Sequence, residues 1–284
     1  MNIFQAILMG IVQGLAEFLP ISSSGHLAIF QNLLHIETDT GDSMLLFDVL
    51  LHIGTLIAIF IVFWKDIVKL VIEFFGIIAD FIRRFREPDV IVLSSAYRRF
   101  VLLILVSTIP TGILGYIDRD FVEYASGTLL IPGIGLIITS ILLFICDRIG
   151  DGRKGIKKIT YLDAFEIGMA QGIATVPGIS RSGATIAACL MLGIKKETAV
   201  KYSFIMSIPA VMGAAILEIK DAVGASLEVG TLISYIIGMI VAAVVGYFAI
   251  KFMIGVVRRK RYIYFSIYCL IVGIVAIVGH FVTK

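Results

Sequence analysis

The sequence predicts an all-α integral membrane protein built as an inverted repeat, with six full spans and two re-entrant helical hairpins. Three observations carry that reading. Of 284 residues, 59% are hydrophobic and only 16% charged, with a mean hydropathy of +1.01; soluble domains carry about a quarter charged residues. Long apolar runs follow one another, as helical spans require. A polar-tipped stretch also occurs twice. Gln13 to Leu27 reads QGLAEFLPISSSGHL, and Gln171 to Thr185 reads QGIATVPGISRSGAT. Over the thirteen paired positions from Gln13/Gln171 to Gly25/Gly183, seven are identical. Chance matching at very roughly 1 in 15 per position gives about one.

Taken in order, residues 3–18 suit a helix that is short and turns polar near its end. Pro20 and Gly25 break it, and a second short helix runs from Gly25 to about Leu34. Broken backbone of this kind is tolerated at membrane depth where it is buried in protein or lines a cavity. Leu45–Trp64 is a span, with Trp64 and Lys65 marking a membrane–water boundary. Asp66–Arg86 mixes apolar residues with charge and suits a helix lying in the interface. Phe100–Ile117 and Leu129–Cys146 are spans. The second half repeats the plan. A short helix over Tyr161–Val176 breaks at Pro177 and Gly178, and another covers Gly183–Leu192. Spans follow at Val200–Leu217, Thr231–Phe252 and Tyr262–Val282. The single membrane domain divides into halves of about 1–150 and 151–284.

Lysine and arginine counts set the orientation. Segments 65–99, 147–160 and 251–261 hold seven, five and five, whereas 118–128 and 218–230 hold one each. The positive-inside rule places the first three in the cytoplasm and both termini outside. The first hairpin then enters from outside and the second from the cytoplasm. Inverted repeats of this kind form their sites near the midplane from broken helices. The basic residues sit in short loops, without an aromatic platform, which excludes a nucleic-acid reading. Cys146, Cys189 and Cys269 lie far apart in apolar segments, with no metal-ligand spacing or disulfide framework, and read as buried small side chains. The amino terminus lacks a basic region before its apolar stretch, so a cleaved signal peptide is not expected.

The two copies keep their backbone residues and differ in their reactive ones. Glu17 stands opposite Thr175, Ser23 opposite Arg181, and His26 opposite Ala184. Gln13 and Glu17, four apart, share a helix face. Ser22, Ser23 and Ser24 precede one short helix, and Ser180 and Ser182 precede the other, where serine suits an N-cap. Each copy thus aims a helix N-terminus, a phosphate-binding element, at the repeat interface. Arg181 at one mouth suits bidentate phosphate recognition. Charges at the bilayer centre cost about 2.5–3.5 kcal/mol each, so Glu17 and Arg181 are kept for pairing, for function or for both. A structural ion pair alone needs neither His26 nor the converging serines. His52 and Asp48 read as a buried His–Asp pair, and His35 and His280 as interface residues. Asp163 and Glu166 complement a helix dipole, and Pro209 marks a kink.

These residues carry a resemblance. QGLAEFLPISSSGH and PGISRSGAT resemble the two signature motifs of the undecaprenyl-diphosphate phosphatase family, the bacitracin-resistance type, and the likeness includes FDVLLHIGT at Phe47–Thr55. The resemblance implies that Glu17, Ser23, His26 and Arg181 are the main site residues. Ser22, Ser24, Gly25, Ser180, Ser182, Gly183 and Thr185 fall on surrounding motif positions that bind substrate. It implies hydrolysis of undecaprenyl diphosphate to the monophosphate and inorganic phosphate on the outer face of the bacterial plasma membrane. That reaction recycles the lipid carrier for peptidoglycan synthesis and confers bacitracin resistance. It further implies a divalent cation and a homodimer; Glu17 with Gln13 is the expected holder of that cation, Mg²⁺ or Ca²⁺, hard ions that take oxygen ligands. Gln13 departs from the Glu–Glu form of the motif and leaves one carboxylate there. The nucleophile stays open among Ser23, His26 and water. A lipid-phosphate carrier on the same inverted plan is the rival reading.

Overall fold

The structure is a computed structural model that describes residues 1–33, 41–87, 89, 91–93, 95–222, 229–258 and 261–282. The described residues form twelve α-helices, one 3₁₀ turn at Ile156–Lys158 and no strands. α1 covers Ile3–Phe18, started by a capping box in which Asn2 and Gln5 exchange backbone-to-side-chain hydrogen bonds of 3.0 and 2.8 Å. α2 (Ser23–Leu33) completes the first hairpin. α3 (Gly41–Val62) and α4 (Trp64–Arg84) meet at 88°. α5 (Ala96–Ile117) precedes α6 (Arg119–Ser126), a short helix in what the sequence reads as a loop. α7 (Leu130–Arg148) ends the first half. α8 (Tyr161–Ile173) and α9 (Arg181–Met191) form the second hairpin, and α10 (Lys196–Ala222), α11 (Val229–Arg258) and α12 (Tyr262–Val282) follow.

α5, α7, α10, α11 and α12 are each long and apolar enough to cross a membrane, and the bent pair α3–α4 adds a sixth crossing if counted as one span. The chain is therefore a multi-pass, all-helical membrane protein. α4 turns away at Phe63 and leaves Val71, Ile72, Phe75, Phe81 and Ile82 exposed. Arg98 ties it to α5, donating to Glu73 at 2.7 Å and Asp80 at 2.6 Å.

Several boundaries differ from those the sequence suggests. α2 begins at Ser23 rather than Gly25, because Ser22 adopts φ 70° and its Oγ accepts the Gly25 N–H at 3.3 Å. α9 begins at Arg181 rather than Gly183, with Ser180 Oγ accepting the Gly183 N–H at 3.1 Å. α8 stops at Ile173, where the Thr175 hydroxyl donates to the Gly172 carbonyl at 2.7 Å. α10 starts four residues earlier than Val200 and runs through Pro209 without ending.

The main contacts come in exchanged pairs. α1 lies along α11 while α8 lies along α5; α3 packs on α11 while α10 packs on α5; α7 packs on α12, and α3 on α10. Small residues permit the close approaches. A Cβ on Gly14 of α1 would stand 2.8 Å from the Ala242 carbonyl oxygen of α11. Between α7 and α12, Ser140 and Ser266 each donate to the other's carbonyl, at 2.7 and 2.8 Å. Such bonds and small-residue seams hold helices together where lipid gives no hydrophobic driving force between them.

Candidate active site

The two hairpins meet tip to tip. A Cβ on Gly25 would lie 2.9 Å from Gly178 Cα, and one on Gly183 would lie 3.4 Å from Pro20 Cβ. Each tip therefore rests on the other copy's loop. Ser182 Oγ reaches the Leu19 carbonyl at 3.4 Å. Thr139 of α7 clamps the second loop, donating to the Gly178 carbonyl at 2.9 Å and accepting the Ser180 N–H at 2.8 Å.

At this junction the reactive groups converge. Glu17, buried on the last turn of α1, accepts a hydrogen bond from the Arg181 guanidinium of α9. Its other oxygen accepts the Ser23 hydroxyl at 2.5 Å and the Gln13 amide at 3.3 Å. The i, i+4 spacing of Gln13 and Glu17 places both on the buried face of α1, as the helical period requires. Arg181 Nη2 is committed to Glu17; the other guanidinium nitrogens make no hydrogen bond within the described residues. The side chain lines a small cleft together with Glu17, Phe18, Ser182, Ser203, Phe204 and Ser207. One wall is apolar, with Phe18 and Phe204 packed edge to face at 5.6 Å. The other is hydroxyl-rich. The cleft thus joins a cation and a helix N-terminus, the groups that hold an oxyanion, with a carboxylate beside them.

Ser203 and Ser207 of α10 were not singled out by the sequence. Their signal is two serines four apart on an apolar helix, which put them on one face. Ser203 Oγ lies 2.5 Å from Thr185 Oγ1, and Thr185 in turn donates to the Arg181 carbonyl at 2.9 Å. α10 therefore braces the turn that carries Arg181. Ser22 and Ser24 Oγ lie 3.4 Å apart, matched by Ser180 and Ser182 at 3.4 Å.

His26 is buried on α2, but no hydrogen bond joins it to Ser23, Glu17 or Arg181. Its Nδ1 lies 2.8 Å from the Ser22 carbonyl and its Nε2 lies 2.8 Å from the Tyr268 hydroxyl of α12. The proton partner that the geometry gives Ser23 is Glu17. Tyr268 has no signal in the sequence, being one aromatic residue in an apolar helix.

Oxygen ligands for a hard cation can be read from the same place. Gln13 Oε1 is buried and has no hydrogen-bond partner among the described residues. With the Glu17 carboxylate it supplies two oxygens, and no group of three His, Cys, Asp or Glu side chains clusters among the described residues. That donor set fits Mg²⁺ of the kind completed by substrate phosphates and water, and does not fit an all-protein cage.

Of the remaining candidates, His52 stands near enough to Glu17 for their charges to interact, and the others fall outside the junction. His52 Nδ1 binds the Asp48 backbone carbonyl at 2.8 Å, one turn back, rather than the Asp48 carboxylate expected from the sequence. That carboxylate accepts from Gln31 Nε2 at 3.2 and 3.3 Å. His280 Nδ1 lies 3.3 Å from Thr128 Oγ1. His35 lies outside the described residues. Cys146, Cys189 and Cys269 are buried free thiols. Asp163 caps α8, accepting the Thr160 N–H at 2.8 Å and the Lys154 ammonium at 3.0 Å. Burial works to raise its pKa, but the hydrogen bonds from Thr160 and Lys154 together outweigh it and hold the carboxyl below the usual aspartate value.

Comparison with known proteins agrees with this architecture. The family described as bacitracin resistance protein BacA matches residues 6–275. The chain is 42% identical over 278 residues to a protein of Halothermothrix orenii named undecaprenyl-diphosphatase, covering 98% of each. Proteins of the same name from Alkaliphilus metalliredigens and Methanosphaera stadtmanae are 42% and 41% identical, again over 98% of each chain. Since both hairpins and all the spans lie within the matched residues or run directly out of them, the chain belongs to the bacitracin resistance protein BacA family.

Proposed function

We propose that this protein hydrolyses undecaprenyl diphosphate to undecaprenyl phosphate and inorganic phosphate. The observation that carries the reading is the part-buried Glu17–Arg181 contact between the two hairpins, set at a cleft with one apolar and one hydroxyl-lined wall. The relatives' shared name supports the substrate.

In this reading Arg181 and the N-terminus of α9 bind the diphosphate and neutralise charge that grows on the phosphoryl oxygens. Ser23 Oγ attacks the terminal phosphorus and passes its proton to Glu17, the acceptor of its hydrogen bond. The bond from that phosphorus to the bridging oxygen breaks, and its electron pair leaves with undecaprenyl phosphate. Water then attacks the phosphoserine, giving a proton to His26, and Ser23 recovers its own proton from Glu17 as phosphate departs. Glu17 and Gln13 would hold a divalent cation. When bound, that ion supplies further charge neutralisation to the phosphates. The polyprenyl tail lies along the apolar helices. The charge distribution of the loops supports a site served from the outer face, with both termini outside. There the reaction would return lipid carrier to peptidoglycan synthesis and oppose bacitracin, and the family resemblance implies a homodimer.

The test is phosphate release from undecaprenyl diphosphate by the purified protein, with Mg²⁺, with chelator, and for Arg181→Ala. Release that requires both the ion and Arg181 is the expected result. The exchanged helix contacts also suit a carrier. Bound lipid diphosphate with no phosphate released would favour that reading and sink the hydrolytic one.

A further inference from the structure

The two ring nitrogens of His26 are not equivalent. A backbone carbonyl only accepts hydrogen bonds. Nδ1, 2.8 Å from the Ser22 carbonyl, therefore carries the hydrogen in the neutral ring. Nε2 then holds the basic lone pair, and the Tyr268 hydroxyl donates to it at 2.8 Å. The ring is fixed at both ends. Ser22, which presents the carbonyl, is itself held at φ 70° beneath the first turn of α2. Tyr268 lies parallel to the imidazole, with 7° between the planes and 5.6 Å between centroids. The residue is partly exposed on α12, and its hydroxyl turns inward to His26.

An imidazole nitrogen has one in-plane lone pair, and here it is taken. We infer that Tyr268 is a proton relay, through whose hydroxyl protons reach and leave His26. The hydroxyl passes its hydrogen to Nε2 and takes another onto its own vacated oxygen, so charge is conserved at tyrosine and His26 becomes imidazolium. The new Nε2–H then donates back to the same oxygen, and the contact survives in both states. Return of the proton follows the reverse path. Nothing but a proton is exchanged, and no co-reactant is required. The relay rests on the reading of His26 as the group that accepts the proton released in hydrolysis.

The experiment is steady-state phosphate release from undecaprenyl diphosphate by the full-length protein and three variants: Tyr268→Phe, His26→Ala and the double substitution. Phenylalanine keeps the stacked ring and removes only the hydroxyl. The expected result is a fall in kcat of about tenfold or more for Tyr268→Phe, part of the roughly 10²–10⁴ that a positioned acid–base group supplies. KM should stay within about twofold, since the hydroxyl acts on proton transfer rather than binding. The double variant should lose no more than His26→Ala alone. An unchanged or raised kcat for Tyr268→Phe, with His26→Ala impaired, would show that Nε2 is reached directly and overturn the relay. An equal loss in the His26→Ala background would overturn it too, by showing that Tyr268 acts independently of His26. Full activity of His26→Ala would instead overturn the role given to His26 itself.

Discussion

Glu17 and Arg181 face each other across the membrane-embedded junction, and each charge costs about 2.5–3.5 kcal/mol to place there alone. Paired, they hold a cation ready beside a cleft without leaving it unneutralised. The planar guanidinium has five donors, so one edge can keep the carboxylate while another meets a phosphate. Lysine cannot divide its charge in this way. Arg181→Lys should therefore lower kcat/KM for phosphate release by about 10²-fold, the scale of one lost oxyanion donor, while the protein remains folded. A variant with near-native kcat/KM would refute bidentate recognition. The residues of this junction were legible because two copies of one motif exchange polar or charged groups at Glu17/Thr175 and Ser23/Arg181. Ser203, Ser207 and Tyr268 were not. Each sits on a helix that carries no motif, and tertiary packing alone brings it to the site.

Among the elements, the loop of residues 147–160 and α8 form one capped unit. Lys154 pairs alongside Ile194 by a parallel bridge, and its ammonium reaches Asp163 at the start of α8. Asp163 and Thr160 complete a capping box there. Because the folded carboxyl titrates below its ordinary value, its contribution to stability is complete above the unfolded value of about 3.9. It is lost as the pH falls through the lower, folded value. Asp163→Asn should therefore melt several degrees below the native protein at pH 7, with the gap still full at pH 5 and closing below about pH 4. A gap that stays constant to pH 3 would mean that the carboxylate charge contributes nothing. Helix existence was legible from apolar run length, and the ends were not. The start of α2 depends on a serine in the left-handed region, a conformation serine seldom takes, and α6 is an eight-residue helix that packs on α2 as well as on its chain neighbours α5 and α7.

For the whole molecule, the distribution of lysine and arginine makes a sidedness prediction that the native cysteines do not obscure, since all three are buried. A membrane-impermeant maleimide should label Asn2→Cys in intact cells and Lys157→Cys only after permeabilisation. The opposite pattern would reverse the topology and put the first hairpin on the cytoplasmic side. The all-helical membrane class follows from composition, because backbone in lipid must satisfy its own hydrogen bonds. The exchange of partners between halves did not follow from it, since hydropathy says nothing about which helix packs on which.

That exchange also bears on how the chain is made. α1 leaves the ribosome before the helices described after it, yet its main neighbour is α11, and Glu17 meets Arg181 164 residues further on. At roughly 5–20 residues per second, the opening hairpin waits about 10–30 s for the groups that complete it. During that interval its carboxylate is unpaired and its small-residue face uncovered. The α1–α2 hairpin is thus written early and settles late, and a nascent chain stalled before α9 would be a natural client for the insertion machinery and its quality control.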